Sequence, residues 1–203
     1  SQQGGFGRVA LSAGEARLPA LGYVVDYTQL HAALENALQD RLLQYLTGAK
    51  VSAIRDAPES SIVEFMAGGV QRSVAARLVV AADGGALEDV ATVRTVDYRQ
   101  SAVTARVRSE LPHHNTAFER FTGGGPLALL PSGEDLALVW TAEHEQAQQL
   151  CELPSGQFLL RLRQHFGGRL GAFTETGARS LFPLKLKYAT NAVRPRTMLI
   201  GNA

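Results

Sequence analysis

A single cysteine, Cys151, stands among the 203 residues of the chain. One thiol cannot close a disulfide within the chain, nor can it supply the ligand set of a structural zinc site. In "QQLCELP", at an expected helix end, it reads as a small buried thiol, a usage that fits a reducing compartment. No apolar run approaches the roughly 20 residues that a membrane-crossing helix needs. No secretory leader is recognisable, which carries little weight because Ser1 is not a start methionine. Charge of one sign is missing too: 20 basic against 19 acidic residues leave a formal +1. Bulk capture of nucleic acid is thereby excluded, and no basic stripe with interleaved aromatics offers a local substitute. The nearest cluster, Arg194-Pro195-Arg196, is expected to be a solvated turn.

Several catalytic signatures are absent as well. There is no G-x-S-x-G elbow and no G-x-G-x-x-G phosphate loop. His31, His113, His114, His144 and His165 are scattered without an i, i+4 pair, so they are expected to be structural or exposed rather than metal ligands. Glu134-Asp135 and Glu88-Asp89 fall in turn-like stretches, where acids serve local hydrogen bonding. No side chain stands out as a catalytic acid, base or nucleophile.

What remains is an ordinary globular composition, 45% hydrophobic and 19% charged, enough for one large domain or two small ones. The clearest element is a helix capped by Asp26 or Thr28. Its Leu30, Leu34, Leu38, Leu42 and Leu46 recur every fourth residue and predict a stripe facing a core, with Gly48 as the stop. Alternating and β-branched runs at 50–54, 61–67 and 70–76 predict strands, the last two joined by a hairpin at Gly68-Gly69. Leu78 to Ala82 are apolar throughout, as expected of a strand covered on both faces, and Asp83-Gly84 end it. An antiparallel section follows, with strands over 96–110, 116–123, 125–133 and 135–143. Two helices come next, the second placing Phe158, Leu159, Leu162 and Phe166 inward. A strand around 178–190 contains Pro183, which assigns it to an edge or bulge. The chain closes on "MLIGNA", a second apolar strand that runs into a turn, Gly201-Asn202. Strands that end in such turns deliver them to the carboxyl edge of a sheet, where α/β folds place their crevices. Two such edges predict one shared site.

Taken together, "PALGYVVDYTQLHAAL", "RLVVAADG", "TVDYRQSAVTARV", "AFERFTGGGPLALLP", "LALVWT" and "MLIGNA" resemble the FAD-dependent aromatic hydroxylases of ubiquinone biosynthesis, within the para-hydroxybenzoate-hydroxylase-like monooxygenases. The resemblance implies an α+β molecule: a remnant of an α/β FAD-binding domain over residues 1–92, an antiparallel-sheet substrate domain over 93–192, and a return strand over 193–203. It also implies that the βαβ dinucleotide unit lies upstream, so that the chain is an internal piece of a larger protein. On the same footing Asp83 and Gly84 would be one FAD-binding turn, and Gly201 and Asn202 the start of another. The family often has Ser and then Arg after Asp-Gly; here Leu87 and Val90 stand near those places.

The implied activity is hydroxylation of a polyprenyl phenol with O2, driven by NAD(P)H or another electron donor. Phe121, Pro126, Leu127, Leu129 and Pro183 are the expected walls of an apolar substrate pocket. The implied setting is cytoplasmic, with room for peripheral attachment to the inner membrane and for contact with other ubiquinone-biosynthesis proteins. Without the upstream unit the piece is expected neither to retain FAD nor to turn over. The competing expectation is a non-catalytic lipid- or quinone-binding or scaffold module built on the same sheet.

Overall fold

The computed structural model describes residue 7 and residues 9–39, 43–84 and 92–201. It contains helices and antiparallel sheets, as the sequence predicts. The contacts divide the chain into two compact units, Ser1–Gln39 with Tyr98–Leu184, and Asp40–Asp97 with Lys185–Ala203.

The first unit holds most of a large antiparallel sheet. Its strands are β5 (Val93–Ser109), β6 (Phe118–Thr122), β7 (Gly125–Ser132), β8 (Asp135–Glu143), β9 (Phe173–Thr176) and β10 (Ser180–Ala189). They run in the order β10-β5-β8-β7-β6, with β9 also paired to β5. Period-two alternation sorts the side chains. Val103, Trp140 and Leu127 lie opposite one another across β5, β8 and β7, and so do Leu138 and Leu129. All five are nearly or fully buried. Against that face pack α2 (His144–Glu152) and α3 (Ser155–Phe166), which contribute Ala147, Leu150, Phe158, Leu162 and Phe166 to one core cluster. Complete burial of a ring such as Phe158 is worth about 2–3 kcal/mol. Pro183 sits in β10, the edge position its missing N–H calls for.

Both helices end on arginines from elsewhere in the chain. Arg120 Nη1 donates to the Phe166 carbonyl at 2.6 Å, and Arg179 Nη1 donates to the Leu150 carbonyl at 3.2 Å while stacking on Phe158. Cations at these places satisfy orphan carbonyls and face the negative helix ends.

The second unit has a three-stranded meander, β1 (Lys50–Asp56), β2 (Ser61–Ala67) and β3 (Val70–Ala76), whose hairpin carries Gly68 and Gly69 at φ +59° and +76°. A second small sheet joins β4 (Val79–Ala81), which follows the meander, to the distant β11 (Val193–Arg194) and β12 (Thr197–Leu199), ordered β11-β12-β4.

Three expectations need correction. Helix α1 spans Tyr27–Gln39, with Asp26 Oδ1 accepting from the Thr28 and Gln29 amides, but residues 43–46 are not helical and Gly48 lies in a separate turn. Its stripe does not face a core among the described residues: Leu30, Leu34 and Leu38 are 47%, 58% and 37% exposed. Leu42 lies outside the described residues. The strand at 78–82 is covered on one face only, since Ala81 is buried while Leu78 and Val80 are about half exposed. Pro195 and Arg196 form the expected turn, with Pro195 exposed, but Arg194 and Arg196 are half-buried and bonded to the rest of the unit.

Candidate functional site

The parallel pair β4–β12 builds the site. Val79, Val80 and Ala81 lie beside Thr197, Met198 and Leu199, and the Ile200 amide then donates to the Ala81 carbonyl at 2.9 Å. Asp83 and Gly201 each stand two residues beyond the matched pair Ala81–Leu199, on strands about 4.8 Å apart. The acidic turn and the tail turn therefore share one carboxyl edge. Gly84 and Gly201 have φ of +75° and +71°, and an added Cβ would meet nothing within 4 Å at either. A left-handed turn without a side chain leaves its backbone open to close approach by a flat or polyhydroxylated molecule. The exposed Asp83 carboxylate adds acceptors for hydroxyl groups. Asn202, Leu87 and Val90 lie outside the described residues.

Polar contacts hold this short pair in place. Asp56, at the end of β1, accepts from Ser61 Oγ at 2.6 Å and from Thr197 Oγ1 at 3.1 Å, and pairs with Arg194 at 3.2 Å. Ser61 and Thr197 are fully buried. The Ser61 hydroxyl, followed by Thr197 and Arg194, holds the Asp56 carboxyl below its usual value against the opposing effect of burial. Arg196 donates twice to the Pro58 carbonyl, at 2.8 and 3.2 Å, and once to the Arg77 carbonyl at 3.3 Å. Its own carbonyl accepts from the Val79 amide at 2.8 Å, starting the parallel ladder. Sequence reasoning missed Asp56, Arg194 and Arg196 as supports. Their partners are 138 to 141 residues away in several cases, and no local pattern marks such pairs.

Of the five residues expected to wall a substrate pocket, Phe121 and Pro126 are brought together, while Leu127, Leu129 and Pro183 do not join them. Leu127 and Leu129 are fully buried and point into the core toward the helices. Phe121 and Pro126 lie opposite each other in the β6–β7 register, on the other face, and Phe121 is 69% exposed. Pro183 is exposed on β10. Among the histidines, His113 is buried, with Nδ1 accepting from the Asn115 amide and the Nε2 side facing the Gly133 carbonyl. That fixes the Nε2–H tautomer. Cys151 is partly buried, and burial pushes its thiol up. Among the described residues no group of three metal-ligating side chains gathers, and no helix is long and apolar enough to cross a membrane.

No protein-family model matches the chain. Individual proteins do. It is 34% identical over 196 residues to the ubiquinone hydroxylase UbiL of Rhodospirillum rubrum, covering 93% of this chain and 44% of that protein. It is 32% identical over 202 residues to the 3-demethoxyubiquinol 3-hydroxylase of Escherichia coli, covering 96% of this chain and 50% of that protein. The chain thus spans about half the length of the curated relatives it matches. Among solved structures, the FAD-dependent halogenase CndH from a myxobacterium superposes with a TM-score of 0.66 at 14% identity, over 89% of this chain and 46% of that one. That likeness establishes the flavin-dependent hydroxylase and halogenase fold.

Proposed function

Because the chain belongs to the family of ubiquinone-biosynthesis hydroxylases, we propose that it forms the substrate sheet and two flavin-facing turns of an FAD-dependent monooxygenase that hydroxylates a polyprenyl phenol with O2. The observation that carries this reading is the common edge of Asp83-Gly84 and Gly201 on adjacent parallel strands. The residues fit the cofactor: two bare left-handed turns admit it, and one carboxylate accepts from its hydroxyls. Bound there, FAD supplies the redox and oxygen-transfer chemistry. The protein's task is to hold the phenol ring, exclude water and keep both turns in register. Electrons come from NAD(P)H or another donor, and a polyprenyl substrate calls for peripheral contact with a bilayer.

The test is made on the full-length protein that contains these residues. Gly84→Val and Gly201→Val are expected to lower bound FAD, read by flavin absorbance, with the fold intact by circular dichroism. Unchanged flavin content in both variants would overturn the assignment of these turns. The 203-residue chain alone is expected to bind FAD no tighter than micromolar, because it contains no glycine fingerprint for the pyrophosphate. Sub-micromolar binding would show that the cofactor is held elsewhere.

A further inference from the structure

The β6–β7 turn, Gly123-Gly124-Gly125, is held in three ways. Thr122 Oγ1 donates to the Gly125 carbonyl at 2.7 Å and accepts from the Gly124 amide at 3.3 Å. Gly125 has φ +130° and lies so close to β8 that an added Cβ would sit 2.9 Å from the Thr141 carbonyl oxygen. Gln100 Nε2, from β5, donates to the Gly124 carbonyl at 3.3 Å. Strand β8 lies between β5 and β7, so the backbones of Gln100 and the turn start about 9.5 Å apart. A glutamine side chain spans roughly half of that. The turn must therefore fold over β8 toward β5, on the sheet face opposite the helices. Gln100 and Ala102 share that face, as do Thr141, Pro126 and the exposed Phe121.

The contact also fixes the carboxamide. Gly124 offers a carbonyl oxygen, so the atom facing it is the amide nitrogen. Oε1 is left as an acceptor, and no described residue donates to it. We propose that Gln100 is a specificity-determining residue: its Oε1 accepts the hydrogen bond of the substrate's phenolic hydroxyl, while its Nε2 holds the glycine turn that borders the ring beside Phe121. This rests on the hydroxylase reading above and names the group by which that sheet face distinguishes a phenol from its ether. A site that hydrogen-bonds a hydroxyl discriminates against the analogue without that donor.

The test compares a simple phenol with its O-methyl ether on the full-length protein, by hydroxylation kinetics and, independently of turnover, by calorimetric binding. The native protein is expected to prefer the phenol. Gln100→Leu is expected to lower kcat/KM and affinity about tenfold more for the phenol than for the ether, since loss of the turn contact touches both ligands and loss of Oε1 only the phenol. Should that variant fail to fold, Gln100→Met keeps the side-chain length without the polar atoms. A native preference that survives the substitution, an equal loss for both ligands, or no binding of either overturns the proposal. Phenol-selective binding lost in Gln100→Leu but without hydroxylation by the native protein upholds the Gln100 contact and overturns the hydroxylase reading instead.

Discussion

The amide of Ile200 donates to the carbonyl of Ala81 at 2.9 Å, joining two stretches of chain that are remote in sequence. That bond extends a parallel ladder only three residues long, too short to hold itself. Parallel pairing of distant segments carries a closure cost that local contacts do not offset. The ladder persists because Asp56, Arg194 and Arg196 fasten its ends to the meander. Geometry of the candidate flavin edge is thus set by side chains that do not themselves reach that edge.

Removal of Asp56 should loosen that edge. Asp56→Ala leaves the buried Ser61 and Thr197 hydroxyls without their shared acceptor and Arg194 without its counter-ion. The expected outcome is a lower unfolding midpoint and reduced flavin content in the full-length protein. Asp56→Asn should fall between the two, since it keeps an acceptor oxygen and loses the charge. The folded carboxyl lies below its ordinary value of 3.8. Its contribution is therefore complete above that value and disappears as pH falls through the lower folded value. The stability gap between the native protein and the Asp56→Asn variant should shrink on acidification below about pH 4. A gap that widens there would contradict this.

Arginine caps make a second prediction. Arg120→Ala removes a charged donor from the Phe166 carbonyl at the end of α3, next to Gly167, whose φ is +96°. The cost should be about 1.5–3 kcal/mol by denaturant titration. Arg120→Lys should recover only part of it, because an ammonium lacks the planar fork. Full recovery by lysine would reduce the interaction to simple charge at the helix end.

Gly125→Ala should be costly for two reasons at once. The residue occupies a backbone region that side chains rarely adopt, and the new methyl would meet the Thr141 backbone. Strain of this kind costs about 1–3 kcal/mol. Gly124→Ala is the control, since its nearest neighbour to an added Cβ is a side-chain oxygen at 3.9 Å. Equal destabilisation of the two variants would show that the close approach is not what selects glycine at 125.

Much of this is legible in the sequence because the signals are local. Alternation places β2, β3 and β8 to the residue, and Phe158, Leu162 and Phe166 mark the buried face of α3 as their spacing predicts. The edge position of Pro183 follows from its missing donor. Misreadings arise where the deciding partner is distant. Arg194 and Arg196 do flank a turn, but that they anchor it shows only once Asp56 and Pro58 are placed beside them. Leu127 and Leu129 are apolar strand residues whichever face they occupy, and only the register with Leu138 and Trp140 turns them to the helices. Strand β9 gives no signal of its own: "FTET" is four residues long and pairs with the far end of β5. The leucine stripe of α1 reads as core from periodicity, which reports amphipathicity and not what covers it.

Trp140, the only tryptophan, offers a direct probe of His165. The two rings lie 4.9 Å apart between centroids, tilted by 31°. His165 Nε2 is buried and has no hydrogen-bond partner among the described residues. Burial, with the Arg120 and Arg161 charges adding to it, holds the imidazole below its usual value of 6.5. Neutral His165 therefore contributes stability that is present above pH 6.5 and is lost as pH falls through the lowered folded value. Protonation places a cation against the indole and quenches its emission. Trp140 fluorescence should accordingly drop with a midpoint below 6.5 while far-ultraviolet circular dichroism stays constant, and His165→Phe should abolish the step. A midpoint at or above 6.5 in the folded protein would mean that an acceptor reaches Nε2 in solution.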